Sequence, residues 1–405
     1  MTDQPHGLVR DRVREDGPKL RAIMEFLSSR GLLKSLAQLE AETEVQFDGV
    51  FGEALVDNLM DKHLMGLHAV EDLPNISPPH EFPFPGECAT DIHLVSEVCH
   101  GTANPTSVVW HPTDQKVLLT GGADGRVLMW NLLELNVLLE ATVPSPVLFL
   151  DWSISGFIAV ACMGGELEVH RLVDGELQVV LSEKPLDTNR MNSTKFSPDG
   201  LFLVASGKHT TAAIYECSGD RWLLRKGIRC SREVASVAWV DEYTLLIAES
   251  GNCMIQVHRL DTGHFRTIGQ ICMNLSLRDP RTEYSSLAMS VDPTRRFLVA
   301  CTSRNSALLF KLPENWATDT VCVPDKVLYG MSVGIYDVPS ACFSRDSSFV
   351  YVTSDKEIMV FETRTGCRAF NLEVSPSKPI RCMSRHMAID TLAMVSFDKH
   401  LRLLL

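Results

Sequence analysis

Thirteen histidines and twelve cysteines are the residues of this chain best suited to hold a metal or to act as base and nucleophile. Neither set is clustered. The cysteines stand singly from Cys88 to Cys382 with no C-x-x-C pair, so neither a zinc framework nor a disulfide scaffold is expected. No segment reads G-x-x-x-x-G-K-[ST], G-x-S-x-G or H-E-x-x-H, and no EF-hand loop is present. Nothing in the spacing positions a pair of carboxylates for acid–base work. His170, His209 and His258 recur at regular intervals, which favours packing or turn positions in a repeat over metal ligation. Catalysis, a bound metal and a cofactor are therefore not expected.

Composition narrows the classes further. Apolar residues make up 45% of the 405 and charged residues 22%, as in a folded soluble chain. Lys and Arg total 38 against 51 Asp and Glu, a formal charge of −13. Such a balance opposes phosphate backbones and anionic lipid heads, and no basic patch offsets it, so neither nucleic acid nor membrane is an expected partner. The most apolar stretch, Val143 to Met163, is broken by Asp151 and Ser153 and does not read as a span. The first residues, Thr2 to Pro5, lack the apolar core of a secretory signal. A reducing cytoplasm is the expected setting, with nucleus or cytoskeleton as the others.

The chain changes grammar near residue 72. Residues 1–16 read as a tail. Over 17–51, Pro18 suits a first helical turn, and Leu20, Ile23, Met24 and Leu27 form one apolar stripe. Gly31 then interrupts, and Leu32, Leu36 and Leu39 form a second stripe. A longer amphipathic helix is expected over 52–72, either extending a coiled coil or folding back on the first pair. Residues 73–90 carry Pro74, Pro78, Pro79, Pro83 and Pro85, a composition that makes an extended linker.

From 91 to 405 the pattern is short strands and Gly/Asp turns, and it repeats. The clearest copy runs Ser107 to His111, Leu118 to Gly125, then Arg126 to Asn131, with Trp130 ending the third strand and Asp124 six residues before it. Equivalents of Trp130 fall at His170, Tyr215, His258, Phe310, Phe361 and Leu404, at steps of 40, 45, 43, 52, 51 and 43 residues. This period predicts an all-β propeller. Seven blades fit the spacing best, with six or eight left open. The final strand at 401–405 lacks an outer neighbour, and a spare strand at 92–98 is expected to pair with it and close the ring, since an open edge invites aggregation.

These repeats resemble the WD-repeat family. The resemblance implies a hydrogen-bonded set of His100, Thr120, Asp124 and Trp130 inside the first blade; the later copies keep the spacing and lose most of the set. The segment from Leu20 to Thr43 resembles the LisH motif, whose helices dimerise, which implies a homodimer through Leu20, Ile23, Met24, Leu27, Leu32, Leu36 and Leu39. Size argues that this stripe needs a partner surface, either a second copy or the propeller. Asp355, Phe361, Glu362 and Arg364 are similar to the box of propellers that serve as substrate receptors of cullin-RING ubiquitin ligases, where Arg364 would meet an acidic adaptor. The same spacing also belongs to any blade of this type.

The expected protein is thus a non-catalytic dimeric scaffold that binds protein partners through its propeller. The combined resemblance is to proteins of microtubule, centrosome and ciliary assembly, with a ubiquitin-ligase receptor and a corepressor or splicing component as alternatives. The two long steps imply insertions at 269–283 and 313–330. Arg278 and Arg281 in the first, and Trp316 and Tyr329 in the second, are the candidate partner residues.

Overall fold

The structure is a computed structural model. It describes residues 94–405 apart from 102, 220, 226, 262, 275–284, 317–320, 333–337, 373, 375, 387, 390 and 405. The tail, both LisH-like stripes, the helix expected at 52–72 and the Pro-rich linker lie outside the described residues, as do Ile92 and His93.

The described residues form seven sheets, antiparallel but for one added strand, and no helix. Blade 1 consists of Pro105–Trp110, Val117–Gly122, Arg126–Asn131 and Asn136–Thr142, in that spatial order. The innermost strands of the next blades are Val147–Trp152, Met191–Phe196, Val234–Trp239, Ser286–Val291, Ala341–Phe343 and Ile380–Arg385. Successive innermost strands are neighbours, and the seventh neighbours the first. The molecule is therefore a closed seven-bladed propeller.

The repeat positions read from the sequence share one register. Trp130 faces Leu118, His170 faces Ile158, Tyr215 faces Leu203 and His258 faces Leu245. Phe310, Phe361 and Leu404 stand opposite Leu298, Val350 and Leu392. All seven are buried. A period-2 strand sends alternate side chains to opposite faces, so each third strand packs against both neighbouring blades. Met129 enters the cluster shared with blade 2, and Trp130 enters the one shared with blade 7. The apolar core consists accordingly of seven clusters, one for each boundary between successive blades. An open ring of seven blades would have only six such boundaries.

Local devices keep the blades close. In six of the seven innermost strands the register shifts near the strand's start, at Pro105/Ser107 in blade 1 and at matching positions elsewhere. Such bulges add local twist, which splays each blade from the last. Gly121 is required by contact: a Cβ there would lie 2.4 Å from Val147 Cγ1 of blade 2.

Blade 7 is completed from the other end of the described chain. Leu94–Cys99 lies antiparallel to His400–Leu404, with Glu97 opposite Arg402 and Val98 opposite Leu401. The two long steps do not form free loops throughout. Residues 264–272 are the outer strand of blade 4, and Val321–Cys322 adds to it as a fifth, parallel strand. Lys326–Leu328 is the outer strand of blade 5.

Deletion of residues 401–405 removes three buried leucines, Leu401, Leu403 and Leu404. At about 1.5–3 kcal/mol each, their loss rivals a whole domain's stability of roughly 5–15 kcal/mol. The truncated chain should show no cooperative melt near the wild-type temperature by circular dichroism. An unchanged melting temperature would show that the ring holds without this pairing.

Candidate functional site

Of the four residues expected to form the blade-1 set, His100, Thr120 and Trp130 are within hydrogen-bond reach of one another through Thr120, and Asp124 turns away. His100 Nε2 lies 2.8 Å from Thr120 Oγ1, which also accepts the Trp130 indole N–H at 2.8 Å. With the indole donating to it, the Thr120 hydroxyl retains its own proton for His100 Nε2. Burial drives the His100 pKa down to about 4 against the opposing pull of Asp124, so the ring is neutral. Asp124 does not bond to the imidazole. It accepts instead from Arg126 Nε at 2.7 Å and from the Arg126 backbone N–H at 3.3 Å. His100 Nδ1 is left buried without a partner. Arg126, two residues downstream in the turn, supplies a charged donor that outcompetes a neutral imidazole.

The other blades replace this set with different pairs near the same place. In blade 2, His170 Nε2 lies 3.0 Å from Glu168 Oε2, and Ser182 Oγ donates to Glu168 Oε1 at 3.0 Å. In blade 3, the buried Tyr215 hydroxyl bonds Glu183 of the preceding blade. Blade 7 holds a charged assembly. Arg402 Nη2 donates to Asp398 Oδ2 and to Glu97 Oε1, each at 2.7 Å, and Arg402 Nη1 reaches Ser396 Oγ at 2.7 Å. Although burial opposes ionisation, hydrogen bonds from Arg402 and Ser396 hold the Asp398 carboxyl far below its usual range. These groups tie third strands to their neighbours, and none is aimed at a substrate-sized cavity. Among the described residues, no group of three or more His, Cys, Asp or Glu is placed to hold a metal.

The central channel holds a cavity of about 540 Å³, lined by the innermost strands of all seven blades. Bonds between neighbouring blades surround it. Thr106 Oγ1 donates to Val147 O at 2.6 Å, Asn192 Nδ2 to Val234 O at 2.8 Å, Ser236 Oγ to Ser286 O at 2.9 Å and Ser340 Oγ to Met383 O at 3.1 Å. Asp151 joins blades 2 and 3, accepting from Lys195 Nζ at 2.9 Å and the Phe196 N–H at 2.7 Å. Asp292 joins blades 5 and 6, accepting from Ser347 Oγ at 2.8 Å. These polar groups of the channel thus serve the ring.

The expected partner residues divide. Arg278 and Arg281 lie outside the described residues, as do the seven dimerisation residues Leu20 to Leu39. Trp316 is not on a free loop. It is buried in the cluster between blades 4 and 5, because its segment folds back onto the outer strand of blade 4. Tyr329 is exposed. In blade 6, Phe361 is core, Asp355 sits in a turn with φ 49°, and Arg364 is 70% exposed with its Nε 3.8 Å from Glu362. Asp151, Asp292 and Arg402 were not singled out from the sequence. Arg402 and Asp151 carried a readable signal, each a charged residue inside an otherwise apolar run.

Residues 93–131 match the family described as WD domain, G-beta repeat. No curated protein matches the chain. Among solved structures, it is similar to the β-propeller domain of Cps50 (Swd1) from Myceliophteria thermophila. The two share 14% identity over 77% of this chain and 99% of that one, with a TM-score of 0.64. The likeness extends to the fold.

The buried histidines set a pH dependence. Burial lowers both His100 and His258 to about 4, against about 6.5 in an unfolded chain. Between those values the unfolded chain binds protons that the folded one refuses. Their contribution is complete above about pH 6.5 and declines as pH falls toward 4. The melting temperature should be flat from pH 8 to 7 and clearly lower at pH 5, where each histidine withdraws roughly 2 kcal/mol. Equal melting temperatures at pH 7 and pH 5 would contradict this assignment.

Proposed function

We propose that the protein is a non-catalytic scaffold whose propeller binds protein partners, and that the LisH-like segment pairs two such propellers into a homodimer. The observation that supports the first part most is where the buried polar groups point. Glu168, Tyr215 and Arg402, like the Thr120 set, spend their bonds on strand-to-strand contacts, which is the behaviour of a frame and leaves recognition to the rims. The second part rests on the apolar stripes of 17–51. A dimer carrying two identical faces raises the effective concentration for any partner with two sites. Microtubule, centrosomal or ciliary assembly and nuclear corepressor or splicing complexes are the settings that this domain order suggests.

Dimerisation is open to a direct test. Leu27→Asp with Leu36→Asp should halve the mass of the full chain in light scattering while its melt stays unchanged. A wild-type protein that is already monomeric would end the homodimer reading.

A second reading, a receptor subunit of a cullin-RING ubiquitin ligase, is favoured by one feature. Arg364 is well exposed on the turn after the third strand of blade 6, beside the buried Phe361. Under this reading, wild-type protein should co-precipitate the ligase adaptor from cells, and Arg364→Ala should reduce recovery at least tenfold, the scale of losing a hot-spot contact. No adaptor with the wild type, or equal recovery with the variant, would remove it.

A further inference from the structure

In a four-stranded antiparallel blade, the turns joining strands one to two and three to four lie at the same end. Those turns make up one rim of the ring. On this rim blades 1 to 3 expose apolar side chains: Leu133 at 71%, Ile154 at 61%, Leu172 at 44% and Leu201 at 50%. The turns that carry them adjoin. Ser155 Oγ donates to Gly200 O at 3.5 Å, which places Ile154 and Leu201 on touching turns, and the His111 ring packs 4.5 Å from Trp152 across the boundary of blades 1 and 2.

One of these turns is strained as well as apolar. Leu135 has φ 53°, in the left-handed region that glycine enters freely and leucine does not. The matching turn of blade 6, five residues after Phe361 as Leu135 is after Trp130, uses Gly366 at φ 71°. Blade 1 thus holds a half-exposed leucine where the fold accepts glycine. Strain and apolar exposure fall together at this turn, and strain of this kind concentrates at binding sites.

The charge around the patch selects its partner. Asp114 and Glu134 in blade 1 and Asp174 and Glu176 in blade 2 are exposed on these turns, against exposed Lys116 in blade 1 and Arg221 in blade 3, which leaves the rim net acidic. The four apolar residues are on turns or at a strand's end, so they offer no backbone ladder for an added strand. A helix satisfies its own backbone and needs only side-chain contact. We propose that this rim of blades 1 to 3 docks an amphipathic helix of a protein partner, one whose apolar stripe is bordered by Lys and Arg. The proposal rests on the propeller being a partner-binding module and adds where and what it binds.

The test uses the full chain and two labelled 18-residue helical peptides, both with Leu at i, i+3, i+4 and i+7, one with Lys elsewhere and one with Glu. Fluorescence anisotropy should show the Leu/Lys peptide binding at least tenfold more tightly than the Leu/Glu peptide. Leu133→Asp with Leu201→Asp should weaken the Leu/Lys peptide at least tenfold despite adding two negative charges. Met163→Asp, in the turn between strands two and three and so on the opposite rim, should leave its affinity unchanged. Leu135→Gly should raise the melting temperature while weakening the peptide. Equal affinity for both peptides, binding undiminished by the double substitution, or equal loss with Met163→Asp would overturn the proposal. So would a dimer mass that the double substitution abolishes, which would assign the rim to a second copy of the chain. Cellular partners that co-purify equally with wild type and the double variant would leave the scaffold reading intact and reject this rim as its surface.

Discussion

A single strand pairing decides whether this molecule is a ring. Leu94–Cys99 and His400–Leu404 come from opposite ends of the described chain, and Glu97 and Arg402 are 305 positions apart. Closing a loop of that length costs on the order of 5 kcal/mol in chain entropy beyond a constant. What offsets it is spread around the whole circle. Each blade buries one sheet face against the blade before it and the other against the blade after, so no blade has a complete core alone. Removing one boundary exposes two faces, and the remaining six then carry blades with unburied sides.

The closing blade is chemically unlike the rest. Elsewhere, neutral pairs, one carboxylate with a hydroxyl or imidazole, or more exposed ion pairs such as Lys195–Asp151 make the connections. Here Arg402, Asp398 and Glu97 form a charged set, with Arg402 and Asp398 almost fully buried. Buried ion pairs are weak sources of net stability because desolvation takes back most of the attraction. They are strict about geometry, however. A slip of one residue between the two strands would carry Glu97 to the opposite face and leave a buried guanidinium short of an acceptor. Apolar side chains alone would penalise that slip less, since Val98, Leu401, Leu403 and Leu404 are similar in shape.

How much of this was legible depended on the range of the interaction that determined it. The period and the seven positions equivalent to Trp130 were readable because each is imposed by local strand alternation repeated many times, whereas spacing favoured seven blades and left six or eight open. His170 and Leu404 could be placed from spacing although neither is a Trp. The behaviour of Asp124 was not readable, because its choice between His100 and Arg126 is a competition between donors that spacing does not weigh. Trp316 read as a loop aromatic since its burial depends on Val321–Cys322 pairing with Gln270–Ile271 of another blade, a contact over some fifty residues. The rim of blades 1 to 3 escaped notice for a related reason: Leu133, Ile154 and Leu201 belong to different repeats, and only the closed ring sets them along one edge.

The fifth strand of blade 4 divides the ring in an unexpected way. Among the described residues, strand pairing crosses from one repeat to another at two places, where Leu94–Cys99 completes blade 7 and where Val321–Cys322 joins blade 4. The circle is therefore two arcs, blades 1 to 4 and blades 5 to 7, each latched to the other by borrowed backbone. A chain reconnected through its present termini and reopened between blades 4 and 5 would still possess a built-in clasp at the new opening. In evolutionary terms, repeats at that boundary cannot be duplicated or exchanged as independent units, whereas the blades within each arc can.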